Sequence, residues 1–519
     1  MTYFSCLNQG LKPNLSSIGW GNSCRSNFLF TYEIRAVRGP PPLEAFVCST
    51  NSMEIILTTH SLADILMMSS LPFQPPHVVF VPSGIRPSTQ FFRLAVMLAL
   101  HNCTVTFINI QSEAPAPEFI PLTTFFENHQ QINRLDFDIR SSNTSNSTTS
   151  DPFITRFEGI NRSLNLLGPV LSSLLPPLSA IFSDFVVTAT LTQLTADINI
   201  PLYILSTTSA RFFSMVAYLP VLLSNDSAKF SNSSGNTRIP GLDPVSNENI
   251  PPTWLADSPS NYLLTAYLLP NARSLSKVKG VLLNTFDWFE FETITALNSG
   301  RVLDNLPPVF PVGPIESNDH LEKGRYFSWL DDQSAESVVY VNFGSRESMS
   351  KDQIKELENG LQICGYPFLW IQEFSDDSFL MRTKNDSEVT KGVKKKQNVL
   401  AHHAIGAFVN ECDWESVMDA ARHGVPMLAW PQHGDQKKNA EVVEKVGLGV
   451  WVKEWGWGGE KLVAGENIGE MLRKLMGDLN IRCKAKTVGR ETKKAREIGG
   501  SSHKVLGELI EMLRGKNGG

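Results

Sequence analysis

Several features are missing from this sequence, and each absence excludes something. The seven cysteines, Cys6, Cys24, Cys48, Cys103, Cys364, Cys412 and Cys483, form no Cys-x-x-Cys pair. An odd, scattered set excludes a closed disulfide framework and the paired-cysteine zinc patterns. It points to reduced thiols and a cytoplasmic location. Triplets such as Asn143-Thr144-Ser145 then carry no weight, because glycosylation requires secretion. Charge of one sign is also lacking. With 46 Lys and Arg against 52 Asp and Glu, the net charge of −6 offers no basic excess for nucleic acid or an anionic membrane. No secretory leader pattern is evident in residues 1–20. The uncharged stretch Ser163 to Ser183 is broken by Pro169, Pro176 and Pro177, so it reads as a buried helix, loop and strand and not as a stable membrane insertion. No Gly-x-Gly-x-x-Gly or Gly-x-x-x-x-Gly-Lys-Ser/Thr follows a strand, which excludes the dinucleotide fingerprint and the P-loop. His402, His403, His423 and His433 contain no His-x-x-x-His pair, so no metal site is expected.

What is present is an alternation of strands and helices. The chain of 519 residues is long enough for two or three domains. Residues 1–67 mix Ser, Asn, Gly and Pro without a sustained period, and are expected to be a disordered extension. From there the pattern changes. His77-Val78-Val79-Phe80-Val81 is a continuous apolar run of the buried parallel-strand type. A helical pattern follows over Phe91 to Leu100, then a strand over Thr104 to Ile110. Further strands are expected at Leu178 to Asp184, Pro201 to Leu205 and Val281 to Thr285. Pro307 to Pro314 reads as a stiff connection and a boundary, which gives domains 68–313 and 314–519. The second domain repeats the alternation, with strands at Val338 to Phe343, Phe368 to Gln372, Ala407 to Val409 and Met427 to Trp430. The fold class is therefore α/β, with ligands expected outside the carboxyl ends of the strands.

One segment is far more specific than the rest. From Val393 to Gln436 the chain carries Trp414, Ser416, Gly424-Val425-Pro426, Trp430-Pro431 and Asp435-Gln436 in one register. This stretch of 44 residues resembles the signature of plant family 1 UDP-glycosyltransferases. The resemblance extends over roughly residues 70–515, including Asn284-Thr285-Phe286 and Phe343-Gly344-Ser345. It implies the GT-B fold, two Rossmann-like doubly wound domains facing across a cleft. The N-terminal domain would bind the acceptor and the C-terminal domain the UDP-sugar, with the last helix packing back on the N-terminal domain. It also implies a monomer, a UDP-sugar as co-substrate, no further cofactor and inversion at the sugar. Asp151-Pro152-Phe153, the run Pro201 to Leu223 and Glu454-Trp455-Gly456-Trp457-Gly458-Gly459 are similar to plant flavonoid C-glycosyltransferases. That similarity places Asp151 and Phe153 at a flavonoid or phenolic acceptor; the plain alternative is a turn before a helix.

Elementary chemistry agrees with such a donor. A diphosphate suits the free N–H groups at the start of the helix Glu415 to His423, where Ser416 adds a hydroxyl and Ser345 ends a strand. Asp435 and Gln436 can each take two hydrogen bonds from a sugar, the alternative being a solvated loop. The resemblance also exposes departures. The family's base is a His oriented by an Asp. Here Pro87 stands at the His position, and Asp184 is the surviving partner. Losing a general base costs about 10²–10⁴ in rate. The uracil-stacking Trp is Val393, the Gln at the base or ribose is Lys396, the diphosphate His is Glu411, and the ribose Glu is Asp419. The residues flanking Trp414 are Asp413 and Glu415 instead of Gly and Asn. Lys394, Lys395 and Lys396 read more simply as a solvated face. A carboxylate about 4 Å from a phosphate charge repels it by about 4 kcal/mol at an effective dielectric near 20. Two readings follow: a glycosyltransferase using Asp184, or a catalytically impaired homologue that binds a small molecule or a partner.

Overall fold

The structure, a computed structural model, describes residues 74–83, 89–111, 122–138, 152–224, 235–251, 254, 267–315, 326–344, 349–372, 388–391 and 397–515, with the backbone of three strands before them. The chain divides into two units, Met1–Gln74 and Pro75–Gly519. In the first unit β1 (Glu33–Arg38), β2 (Glu44–Thr50) and β3 (Met53–Thr58) form an antiparallel sheet in that order. These strands lie within residues 1–67, the stretch expected to be a disordered extension; the rest of that stretch is outside the described residues. The short runs are rich in Val, Ile, Phe and Thr, and pairing them satisfies backbone groups that periodicity alone does not reveal.

The second unit opens with a parallel sheet of seven strands: β4 (His77–Val81), β5 (Thr104–Gln111), β6 (Ile132–Asp138), β7 (Leu178–Asp184), β8 (Leu202–Ser206), β11 (Gly280–Leu283) and β12 (Val309–Pro311). Their order is β12-β11-β8-β7-β4-β5-β6. A separate pair, β9 (Asn236–Thr237) with β10 (Val245–Ser246), lies in a connection. The Pro-rich stretch read as a plain connection thus also supplies the edge strand β12, paired in parallel with β11. Proline is tolerated there because an edge strand has one unpaired side. Close packing also needs Gly313: a Cβ there would stand 2.5 Å from backbone atoms of Asn284 and Thr285.

A second parallel sheet has the order β15-β14-β13-β16-β17-β18. Its strands are β13 (Val338–Val341), β14 (Phe368–Gln372), β15 (Glu388–Lys391), β16 (Ile405–Asn410), β17 (Met427–Ala429) and β18 (Gly449–Trp451). Strands β4, β8, β13 and β16 are buried throughout, as runs covered on both faces must be. The helix Ser501–Arg514 closes the chain against the first sheet. Leu506, Leu509, Ile510 and Leu513 share a cluster with Phe80, Phe91 and Val105. In the other direction, Phe286 and Phe289 pack with Tyr340 and Trp414 of the second sheet's domain.

Candidate active site

In each sheet the strand order reverses once. The chain runs β4, β5, β6 outward and returns to β7 on the other side of β4. Likewise β13, β14, β15 run outward, and β16 returns beside β13. Crevices outside the carboxyl ends at such reversals are where open α/β sheets bind ligands.

At the first reversal Asp184 ends β7, and its Oδ2 accepts the backbone N–H of Ser83 at 2.6 Å, just beyond β4. Its Oδ1 is shielded from solvent and has no hydrogen-bond partner among the described residues. Burial, only partly offset by hydrogen bonds from Ser83 and from the Val186 backbone, raises its pKa to about 6. A carboxyl that gains its charge near neutrality with one uncommitted oxygen has the attributes of a proton acceptor.

At the second reversal the groups are mostly acidic. Asn410 Nδ2 donates to Asn342 O at 2.7 Å and to Glu411 Oε2 at 2.6 Å, which ties β16 to β13. Cys412 follows with φ of 72°. Its thiol pKa is pushed well up, first by burial and then by the charges of Asp413, Asp435 and Glu411. Three carboxylates therefore converge where the sequence reading expects a diphosphate. Asp413 caps the helix Trp414–His423: Oδ1 accepts Ser416 N–H at 3.1 Å, and Oδ2 accepts the Ser416 hydroxyl. Both groups that Ser416 was expected to offer a phosphate are thus occupied by the protein's own carboxylate.

Other expected donor residues are also committed elsewhere. Trp414, which the resemblance counts among the donor-binding residues, has a buried indole that donates to Asn284 O at 2.9 Å and meets Phe289 edge-on at 5.9 Å. It packs between the two domains. Gln436 Oε1 accepts the N–H groups of Gln432 and His433, both at 2.8 Å, so this acceptor holds its own loop. Asp435 Oδ2 accepts from Thr208 across the cleft and from Asn439 Nδ2 at 3.0 Å. Burial raises its pKa. Glu415 turns toward the first domain, accepting from Thr89 and facing Arg93 Nη2 at 3.1 Å. Asp419 lies 3.8 Å from Arg93 Nη1, and burial takes its pKa to about 7 against the pull of that guanidinium.

The comparisons with known proteins bear on this arrangement. The family described as "UDP-glucoronosyl and UDP-glucosyl transferase" matches residues 304–464. "UDP-glycosyltransferase 708C1" of Fagopyrum esculentum is 40% identical over 456 residues, which is 85% of this chain and 96% of that protein. "UDP-glycosyltransferase CGT" of Oryza sativa subsp. indica is 38% identical, with the same two coverages. The chain belongs to the UDP-glycosyltransferase family. The structure of LpCGTa in complex with UDP is similar at a TM-score of 0.76 and 34% identity, covering 85% of this chain and 99% of that one. Medicago truncatula UGT71G1, complexed with UDP-glucose, aligns at a TM-score of 0.72 over 86% of this chain and all of that one, and its 24% identity speaks for the fold alone. The two facing doubly wound sheets are those of the GT-B fold.

For this glycosyltransferase, several site residues named from the sequence lie outside the described residues: Pro87, Asp151, Ser345, Val393 and Lys396, with the neighbouring lysines 394 and 395. Phe153 lies in the helix Pro152–Leu164, but its side chain is outside them too. The structure adds residues the sequence reading missed. Thr89, Arg93 and Thr208 bridge to Glu415 and Asp435. Nothing local in the sequence marked Arg93 or Thr208. His402 pairs with Asp331 at 3.0 Å, away from any metal constellation. Among the described residues no cluster of His, Cys, Asp and Glu could hold a metal, and no helix is long and apolar enough to cross a membrane.

Proposed function

We propose that the protein transfers a sugar, glucose by the family's usual choice, from a UDP-sugar to a flavonoid-like phenolic acceptor. The reading rests on family membership and on one observation, the buried Asp184 carboxylate at the first strand reversal, whose Oδ1 has no hydrogen-bond partner among the described residues. The ionised carboxylate takes the proton of an acceptor phenol. The resulting phenolate, through oxygen or through an activated ring carbon, attacks the anomeric carbon from the face opposite UDP. The anomeric C–O bond breaks, UDP leaves with the electron pair, and configuration inverts. If carbon attacks, loss of the ring proton restores aromaticity. The relatives named CGT, and LpCGTa with its bound UDP, support the donor and the carbon-linked variant.

A second reading has its own observation. Ser416 N–H and hydroxyl are both held by Asp413, and Glu411 and Asp435 crowd the same place. A protein so disposed would keep the acceptor pocket and bind an aglycone or a partner without transferring sugar. Titration calorimetry with UDP and UDP-glucose, run beside product analysis, separates the two. Micromolar UDP-glucose binding with a product that disappears in Asp184→Ala supports transfer. No donor binding and no product, with the acceptor still bound, supports the binding protein.

A further inference from the structure

A cavity of about 610 Å³ lies on the seam between the two domains and includes none of the site residues above. Arg211, Trp288 and Phe291 line it from the first domain, and Glu441, Lys445 and Trp451 from the second. That volume falls within the range of small-molecule pockets, which favour domain interfaces.

The lining selects the chemistry of an occupant. Its cations are already paired: Arg211 Nε with Glu441 at 3.2 Å, Lys445 with Asp243 at 3.2 Å and with Glu292, and Lys453 with Glu444 at 2.9 Å. An anion would therefore find balanced charge and carboxylates. The aromatic groups are not used up in this way. Trp288 is 46% exposed and Phe291 63%, a large apolar area left in water. Trp451 is 6% exposed, and its Nε1–H is shielded from solvent with no acceptor among the described residues. A buried indole usually finds one.

We propose that this seam cavity binds a neutral, planar aromatic molecule that carries a hydrogen-bond acceptor. The ring lies against Trp288 and Phe291, and a turn of the Trp451 indole toward the cavity brings its Nε1–H to the acceptor. The site is separate from the cleft at Asp184 and does not depend on the transferase reading.

The test uses the full chain labelled with 5-fluorotryptophan, with the Trp288 and Trp451 fluorine resonances assigned through Trp288→Phe and Trp451→Phe. The probes are 2-naphthol, naphthalene and naphthalene-2-sulfonate. With 2-naphthol both resonances should move and saturate at one common Kd. Naphthalene should bind about fivefold more weakly, the loss of one neutral hydrogen bond. The sulfonate should bind at least about tenfold more weakly. Trp451→Phe should remove the preference for 2-naphthol over naphthalene. Trp288→Ala, an exposed position with little bearing on folding, should weaken both. The proposal is overturned if neither resonance moves at saturating 2-naphthol, if the sulfonate binds as tightly, or if Trp288→Ala leaves every affinity unchanged.

Discussion

Asp184 illustrates how one side chain can be legible in type and not in behaviour. Its position at the end of an apolar strand was readable, but its raised pKa comes from burial at a strand reversal. If it is the base, turnover should rise with pH through about 6, and Asp184→Asn should lower it by about 10²–10⁴. Stability supplies an independent check. A carboxyl with a folded-state pKa near 6 against an ordinary 3.8 holds its proton more firmly in the fold than in the unfolded chain. Its contribution is present below about pH 4 and lost as pH rises through about 6. Asp184→Asn should therefore be the more stable protein above pH 6, by on the order of 3 kcal/mol, and the difference should shrink toward pH 4. Melting curves that run parallel across that range would refute it. The acidic end of the Trp414 helix yields another expectation. Replacing Glu411→His together with Glu415→Asn removes two negative charges near the expected diphosphate, and UDP affinity by calorimetry should rise about tenfold or more. An unchanged affinity would mean that Asp413 and Asp435 alone close the site. These commitments were not visible in the sequence, because a helix cap and a phosphate ligand draw on the same residue types.

Elements are held by contacts far apart in the chain. Glu290 sits at a kink in the helix Asp287–Asn298, and its carboxylate oxygens accept Ala210 N–H and Arg211 N–H, both at 2.9 Å. It thus caps the helix Ala210–Ser224 from eighty positions away. Burial raises its pKa to about 7 despite those bonds. Glu290→Ala leaves two buried donors without an acceptor and should cost about 2–4 kcal/mol in urea unfolding. A loss under 1 kcal/mol, the size of an exposed contact, would refute the capping role. The final helix is the other case. Leu509 is fully buried against the first sheet, and Ser502 Oγ donates to Gly313 O at 2.6 Å. Leu509→Ala should destabilise the protein by about 2–5 kcal/mol. A helical pattern was readable over Phe91 to Leu100, a helix buried over most of its circumference. Which surfaces receive it is not a property of the helix itself.

At the scale of the unit Pro75–Gly519, the two sheets share their cores. Phe286 and Phe289 enter the cluster of Trp414, while Leu506 and Leu509 enter the cluster of Phe80. Unfolding should therefore be cooperative across both GT-B domains. Circular dichroism and tryptophan fluorescence in urea should report one midpoint for this unit, and two separated transitions would sink that expectation.

The sequence by itself determined the lineage and the α/β alternation, because buried parallel strands demand continuous apolar runs and the segment from Val393 to Gln436 carries its pattern within a single stretch. It also marked the chemical departures, such as Glu411 for a histidine. Only the tertiary structure decided which groups are already spent. Trp414 goes to the interdomain core, Ser416 to Asp413, and the acceptor of Gln436 to its own loop, while Oδ1 of Asp184 has no partner among the described residues. The physical reason is that the number of hydrogen bonds a group can make is fixed locally, but which partners claim them is set by distances across the fold.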